Sequence, residues 1–177
     1  DKIALVNALS AAGLAKIEVT SFTSPTAIPA LRDAEIVMRE IERRPGVVYT
    51  ALVPNLRGAE RAIESKTDEL NLVMSASETH NLANLRMTRA QSFASLAQVV
   101  GMAQAANVEV NVSLSCVFGC PMEGDVAEAE VFGLVQRFAD LGVGGITLCD
   151  TTGMAYPSQV AHTTAAARAR WPGMDFT

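Results

Sequence analysis

The sequence predicts an α/β fold, specifically a (β/α)₈ barrel, and three observations carry that expectation. Helix-like and strand-like segments alternate from one end of the chain to the other. Several strand-like runs divide into an apolar and a polar face, whereas strands covered by helices on both sides of an open parallel sheet read almost wholly apolar. A polar face that recurs in strand after strand needs a polar lumen to point into. Finally, no Gly-x-Gly-x-x-Gly follows the first strand, which leaves a dinucleotide-binding open sheet poorly supported.

Each element has a local reason. A helical pattern over 1–12 is followed by Gly13, as a helix ended by a glycine would be. The run 16–20 sets Ile17 and Val19 against Glu18 and Thr20. A helix over 30–43, punctuated by Gly46, leads to a strand over 47–53. After a helix over 57–65, the strand 69–74 sets Leu70, Leu72 and Met74 against Asn71 and Ser75. The stretch after it, containing His80, reads as a loop. Thr88-Arg-Ala-Gln91 has capping-box spacing and opens a helix over 88–106. The strand 109–115 has Val110, Val112 and Leu114 on one face and Asn111, Ser113 and Ser115 on the other. A helix over 127–141 ends at Gly142, and a strand over 145–149 follows. Pro157-Ser158 then supplies a stop and a cap for a helix over 158–170, and a sixth strand begins near Met174. Nothing reads as a linker or a second domain, so residues 1–177 are taken as one partial barrel domain.

Composition narrows the function. The 177 residues carry a net charge of −5 and no Lys/Arg cluster, which argues against a nucleic-acid partner. No apolar run reaches membrane-spanning length, so a membrane partner is not expected either. Cys116 and Cys120 are too far apart for a Cys-x-x-Cys redox or zinc motif. With only Cys149, His80 and His162 besides, a four-ligand zinc cage has no credible local spacing. An odd number of thiols suits a reducing compartment, and a cytoplasmic location is expected. The scattered methionines read as core filler.

Polar and Gly/Pro-rich residues collect at the C-terminal ends of the strands, where barrel active sites form. Ile17-Glu-Val-Thr-Ser-Phe-Thr-Ser-Pro25, Pro54-Asn-Leu-Arg-Gly58, Ala76-Ser-Glu78, Ser115-Cys-Val-Phe-Gly-Cys-Pro-Met-Glu-Gly124 and Asp150-Thr-Thr-Gly153 stand there. In this order they resemble the motifs of 3-hydroxy-3-methylglutaryl-CoA lyases, and the cysteine loop separates that family from the isopropylmalate and homocitrate synthases of its superfamily.

The resemblance implies retro-Claisen cleavage of 3-hydroxy-3-methylglutaryl-CoA to acetyl-CoA and acetoacetate, as in leucine degradation, with a divalent cation (Mg²⁺ or Mn²⁺). It implies an acyl-CoA substrate, a homodimer, and a matrix location where the source is eukaryotic. On this basis Glu18 is expected to orient a catalytic arginine and the metal shell, and Asp150 to be a second carboxylate of the site. Ser21, Ser77 and Thr147 are expected to contact substrate or its water network, Cys116 to line the cavity, and Asn55 and Asn84 to make loop contacts.

Simpler readings stand beside these. Glu18 could be half of an ion pair, Asp150 could cap its own turn, Ser21 and Ser77 could be turn serines, and the cysteines could be inert packing. His80 and His162 read as ordinary surface or packing residues. Alternative activities are a lyase for a bulkier 3-hydroxyglutaryl-CoA or a condensing synthase; a non-catalytic scaffold is the alternative of another class.

The family's catalytic arginine, metal-binding aspartate, His-x-His pair and glycine-rich loop have no counterpart in residues 1–177, so the metal ligands are expected outside this chain and the chain is expected to be a portion of a longer protein. An incomplete barrel leaves strand edges that aggregate or pair with other chains. The expected outcome is therefore that the isolated 177-residue segment is poorly soluble and releases no acetoacetate. A soluble segment that responds to Mg²⁺ and shows activity in a coupled assay would overturn it.

Overall fold

Six strands lie side by side in the order in which they occur in the chain, and every neighbouring pair is parallel. They are β1 (Lys16–Ser21), β2 (Val48–Val53), β3 (Glu69–Ser75), β4 (Glu109–Ser115), β5 (Gly145–Leu148) and β6 (Asp175–Phe176). The computed structural model describes residues 1–177. Parallel neighbours require a crossover, and helices supply it: α1 (Lys2–Ala11), α2 (Ala34–Glu40) after a 3₁₀ turn (Pro29–Leu31), α3 (Leu56–Glu64), α4 (Glu78–Leu85), α5 (Arg89–Ala105), α6 (Glu128–Asp140) and α7 (Pro157–Arg170). A strand order that never reverses has no switch point, so this is the winding of a barrel and not of an open doubly wound sheet.

The core sits on one side of the sheet. Tyr49, Ala51 and Val53 of β2, Leu70, Leu72 and Met74 of β3, and Val110, Val112 and Leu114 of β4 are all buried. They belong to the same apolar cluster as Met38 of α2, Ala62 of α3, Val99 of α5 and Phe138 of α6. The opposite, inner face carries Glu18, Asn71, Asn111, Ser113 and Thr147. The split expected from the alternation in β3 and β4 is therefore the split between core and lumen.

β1 departs from strict alternation. Its register with β2 shifts between Glu18 and Thr20: Glu18 pairs with Thr50, then Thr20 with Ala51 and Ser21 with Leu52. Val19 is the extra residue of a bulge, and everything after it changes face. Thr20 does not share a face with Glu18. It pairs with the fully buried Ala51 on the helix side and is itself buried, whereas Ser21 joins Glu18 on the inner face.

Other expectations also change. The stretch 78–85 is a helix, so His80 lies on α4 and not in a loop. The helix expected over 30–43 is confined to Ala34–Glu40. Gly46, at φ +82°, follows Pro45 in the turn closed by the Val47 N–H on the Arg44 carbonyl, and so enters β2 instead of ending a helix. Gly13 and Gly142 do follow helix ends, at φ +83° and +78°. Ser158 is no cap: Tyr156 is the N-cap of α7, without a side-chain bond, and Pro157 takes the first helical turn. The capping box at the start of α5 forms as expected, with Thr88 Oγ1 accepting from the Gln91 N–H and Gln91 Oε1 accepting from the Thr88 N–H.

α4 is held by Asn81, which is fully buried. Its Oδ1 accepts the Ser75 N–H at 2.9 Å, and its amide nitrogen donates to the Met87 carbonyl and to Ser92 Oγ, both at 2.7 Å. One side chain thus ties the end of β3 to the α4–α5 turn and to α5. Removing it strands the buried Ser75 N–H and the buried Ser92 hydroxyl. Asn81→Ala is expected to destabilise the folded protein by about 3 kcal/mol, read as a lower denaturant midpoint, while Asn84→Ala on the exposed side of α4 leaves the midpoint nearly unchanged.

Candidate active site

The inner face is wired from strand to strand. Glu18 Oε2 on β1 accepts a hydrogen bond from Asn71 Nδ2 on β3 at 2.6 Å. Asn71 Oδ1 in turn accepts from Asn111 Nδ2 and from Ser113 Oγ on β4, each at 2.9 Å, and Asn111 Nδ2 also donates to Thr147 Oγ1 on β5 at 3.0 Å. Nearer the N-terminal end of the strands, Lys16 Nζ on β1 lies 2.7 Å from Glu69 Oε2 on β3. Both links cross over β2. Neighbouring strands stand about 4.8 Å apart, so side chains two strands apart touch readily only when the face is concave. Thr50, paired in register with both Glu18 and Glu69, is only 4% exposed although it faces inward.

At the C-terminal mouth, the loop after β4 is fastened on three sides. The Cys116 N–H donates to Thr151 Oγ1 at 2.9 Å, the Val117 N–H to the Cys149 carbonyl at 3.3 Å, and Cys120 and Gly124 exchange two backbone hydrogen bonds at 2.8 and 2.7 Å. Glu123 Oε1 accepts the Thr79 N–H at 2.6 Å, and Ser77 Oγ accepts the His80 N–H at 3.1 Å. Between them they satisfy first-turn donors of α4 that would otherwise lack partners. Gly119, at φ +148°, holds a backbone that residues with side chains rarely adopt, and a Cβ there would meet Met154 Cε at 3.0 Å, so the methionine would have to shift.

Both loop cysteines are buried free thiols. Burial pushes the Cys116 thiol up, against hydrogen bonds from Ser75 and Thr151, and Cys116 adopts φ +58°. That left-handed backbone costs a non-glycine residue about 1–2 kcal/mol. For Cys120, burial pulls upward too, but Ser77 and the N–H groups of Met122 and Glu123 outweigh it and lower the thiol. Cys149, at the end of β5, is raised by burial, with Ser113 opposing and the charges of Cys116 and Glu18 adding to the rise.

The expected site residues fall into groups. Glu18 and Thr147 are joined through the Asn71–Asn111 ladder, and Glu18 is an exposed, hydrogen-bonded carboxylate instead of a buried one. Ser21 shares that face and its buried Oγ makes no hydrogen bond. Ser77 and Cys116 belong to the mouth. Asp150 spends both oxygens on its own loop, accepting from the Met154 N–H at 2.9 Å and the Ala155 N–H at 3.3 Å, so the turn-capping reading describes its geometry. Asn55 is the N-cap of α3, its Oδ1 accepting from the Gly58 N–H at 3.0 Å. Asn84 is exposed on α4, in a helix and not in a loop. His162 is a surface residue 3.4 Å from Glu128 Oε2.

In the sequence Asn71, Asn111 and Ser113 stand out only as part of a polar face, and Cys149 and Thr151 only by their place at the end of the fifth strand. The signal for the ladder is two asparagines at matched positions of successive strands, Asn71 opposite Asn111.

Comparison with known proteins decides the family. An HMGL-like family model matches residues 1–175. The chain belongs to the HMGL-like family. It is 46% identical over 172 residues to the hydroxymethylglutaryl-CoA lyase YngG of Bacillus subtilis, covering 97% of this chain and 58% of that protein. A solved B. subtilis HMG-CoA lyase superimposes with a TM-score of 0.94 at 45% identity, over 99% of this chain and 59% of the other. An HMG-CoA lyase from A. baumannii, solved in complex with coenzyme A and 3-methylmalate, superimposes with a TM-score of 0.92 at 47% identity, over 99% and 58% of the two chains. This HMGL-like chain thus spans a little over half the length of the relatives it matches.

The HMGL-like family implies a divalent metal, and the inner-face residues do not fit one by themselves. No three His, Cys, Asp or Glu side chains converge anywhere in these residues. The one hydrogen-bond partner of Glu18 is the neutral amide of Asn71, and the ladder beyond it consists of an amide and hydroxyls.

The Glu123 anchor is sensitive to acid. Hydrogen bonds from Thr79, by side chain and by N–H, hold its carboxyl below the usual range, against a smaller effect of burial. A carboxyl depressed in the folded state stabilises above its unfolded pKa, and that contribution is lost as pH falls through the folded value. Amide hydrogen exchange at Thr79 and across 120–124 is expected to stay protected from neutral pH down through the ordinary carboxylate range and to accelerate only below it. Glu123→Gln is expected to show the faster exchange at every pH.

Proposed function

We propose that this chain forms the greater part of the barrel of an acyl-CoA carbon–carbon lyase that cleaves 3-hydroxy-3-methylglutaryl-CoA to acetyl-CoA and acetoacetate. The observation that carries the reading is the β1 bulge of an HMGL-like chain. It brings a carboxylate with unused lone pairs, Glu18, and an unpartnered hydroxyl, Ser21, onto one inner face below the mouth.

The reaction breaks the bond between C2 and C3 of the acyl chain. A base takes the proton of the tertiary hydroxyl, that carbon becomes the ketone of acetoacetate, and the electron pair passes to the thioester carbon fragment, which is protonated to acetyl-CoA. Stabilising the developing negative charge calls for fixed dipoles and cations in a site sheltered from water. The reading includes a divalent cation, Mg²⁺ or Mn²⁺, with ligands other than the inner-face residues of these six strands.

What this chain's own residues do follows from their geometry. Glu18, tied to the ladder by one oxygen, presents the rest of its carboxylate to orient cationic groups over the substrate. The Ser21 hydroxyl offers a hydrogen bond to the substrate's oxygens. Thr147, whose Oγ1 accepts from Asn111, keeps its own proton to donate. Cys116 and Cys149 wall the cavity with little capacity to compete for water. A homodimer in a reducing compartment belongs to the same proposal, and sedimentation of the full-length enzyme tests that part.

The test is a chimera in which residues 1–177 replace the matching segment of the B. subtilis relative. It is expected to release acetoacetate from 3-hydroxy-3-methylglutaryl-CoA, and Glu18→Ala is expected to lower kcat by about 10²–10³-fold. A folded chimera that instead releases free thiol from acetyl-CoA in the presence of an oxo acid, or that handles neither substrate, would sink the reading.

A further inference from the structure

We propose that Asn71 is a positioning residue: with Asn111, Ser113 and Thr147 it forms a directional amide ladder across the inner face that fixes the orientation of the Glu18 carboxylate. The proposal rests on the reading of Glu18 as a site carboxylate and concerns groups which that reading does not use.

The ladder has a direction. An asparagine amide can be turned either way, and only its partners decide which end faces where. Asn71 Oδ1 receives two donors from β4, the amide of Asn111 and the hydroxyl of Ser113. With its oxygen saturated on that side, Asn71 can face β1 only with its NH₂ group, and that group meets Glu18 Oε2 at 2.6 Å. Asn111 is fixed in the same sense, because its nitrogen serves both Asn71 Oδ1 and Thr147 Oγ1. Donation therefore runs from β4 toward β1 and ends on a group that, when ionised, only accepts.

Gly145 shows how closely the ladder is fitted. A Cβ at that position would lie 2.8 Å from Asn111 Oδ1, so the Asn111 amide occupies space that any other residue on β5 would fill. On the other side, the Glu18–Asn71 bond passes over β2 at the level of Thr50, which is buried beneath it. A carboxylate on a flexible glutamate chain, exposed on an open face, is thus given one orientation by an interaction that spans three strands. Fixing a reacting constellation to a fraction of an ångström is worth far more in rate than the same hydrogen bond is worth in stability.

The test uses the chimera described above. Asn71→Ala is expected to lower kcat by about 10–100-fold with KM changed by less than about 3-fold. Asn71→Asp places two carboxyl groups at hydrogen-bond distance, which cannot both ionise freely, and is expected to move the acid limb of the pH–rate profile to higher pH. Gly145→Ala reaches the ladder from β5 without touching Glu18 and is expected to reproduce part of the kcat loss.

A readout independent of turnover is the side-chain amide signal of Asn71 by ¹⁵N–¹H NMR, expected to shift in both Glu18→Gln and Gly145→Ala, together with the crystal structure of Asn71→Ala, expected to show the Glu18 carboxylate displaced. Wild-type kcat and pH profile in Asn71→Ala, or Glu18 unmoved in its structure, would overturn the proposal. An unsubstituted chimera that folds but releases no acetoacetate overturns the functional reading instead, and the NMR and crystallographic results then still decide whether the ladder holds Glu18.

Discussion

The structure depends on one constraint: six parallel strands present an apolar face to the helices and a polar face to the lumen, and the polar face is satisfied for the most part by side chains reaching from strand to strand. The backbone groups of the inner strands are consumed by the sheet itself. Polar side chains on the inner face have neither helices nor a fixed partner of their own, so the longer ones bond laterally, while the Ser21 and Thr50 hydroxyls stay unpartnered. Asn111 with Asn71, Asn71 with Glu18 and Lys16 with Glu69 are the result. These links also require the concavity that makes the sheet part of a barrel. The same residues that give the lumen its chemistry therefore help to give it its shape.

Much of this was legible in the sequence, and the exceptions have physical causes. The two-residue period of β3 and β4 identifies the core and lumen faces because both strands are regular. It fails in β1 because a bulge inserts one residue without any compositional mark at Val19, and each residue after it changes side. α4 escapes notice because Thr79, His80, Asn81 and Asn84 are weak helix formers. It forms because Glu123 holds its first turn from across the mouth, beside the local cap Ser77, and because its own Asn81 is bonded to the end of β3 and to the turn into α5. Propensity does not register bonds that come from residues distant in the sequence. Thr88 and Gln91, by contrast, satisfy each other locally, and their helix start is readable directly.

The cysteine loop shows the difference between a motif that marks a family and one that performs chemistry. Its thiols are buried, and its visible work is mechanical: it joins the end of β4 to the β5 loop through Thr151 and Cys149, and to α4 through Glu123. Cys116 holds a left-handed backbone that a glycine would adopt more cheaply. Cys116 is fully buried, so its side chain fills space at the base of the mouth that a glycine would leave empty.

The two carboxylates expected in the site are separated by what their oxygens already do. Asp150 accepts one N–H on each oxygen, from Met154 and Ala155, so its orientation is set by the turn it closes. Glu18 accepts one hydrogen bond, from a neutral amide, out of the roughly four that an ionised carboxylate can take. Its remaining acceptor capacity faces the lumen. Spacing in the sequence treats both as acidic residues near strand ends, whereas the hydrogen bonds tie Asp150 by both oxygens to its own loop and Glu18 by one oxygen to the inner face. That asymmetry favours Glu18 as the group around which the reaction centre is organised.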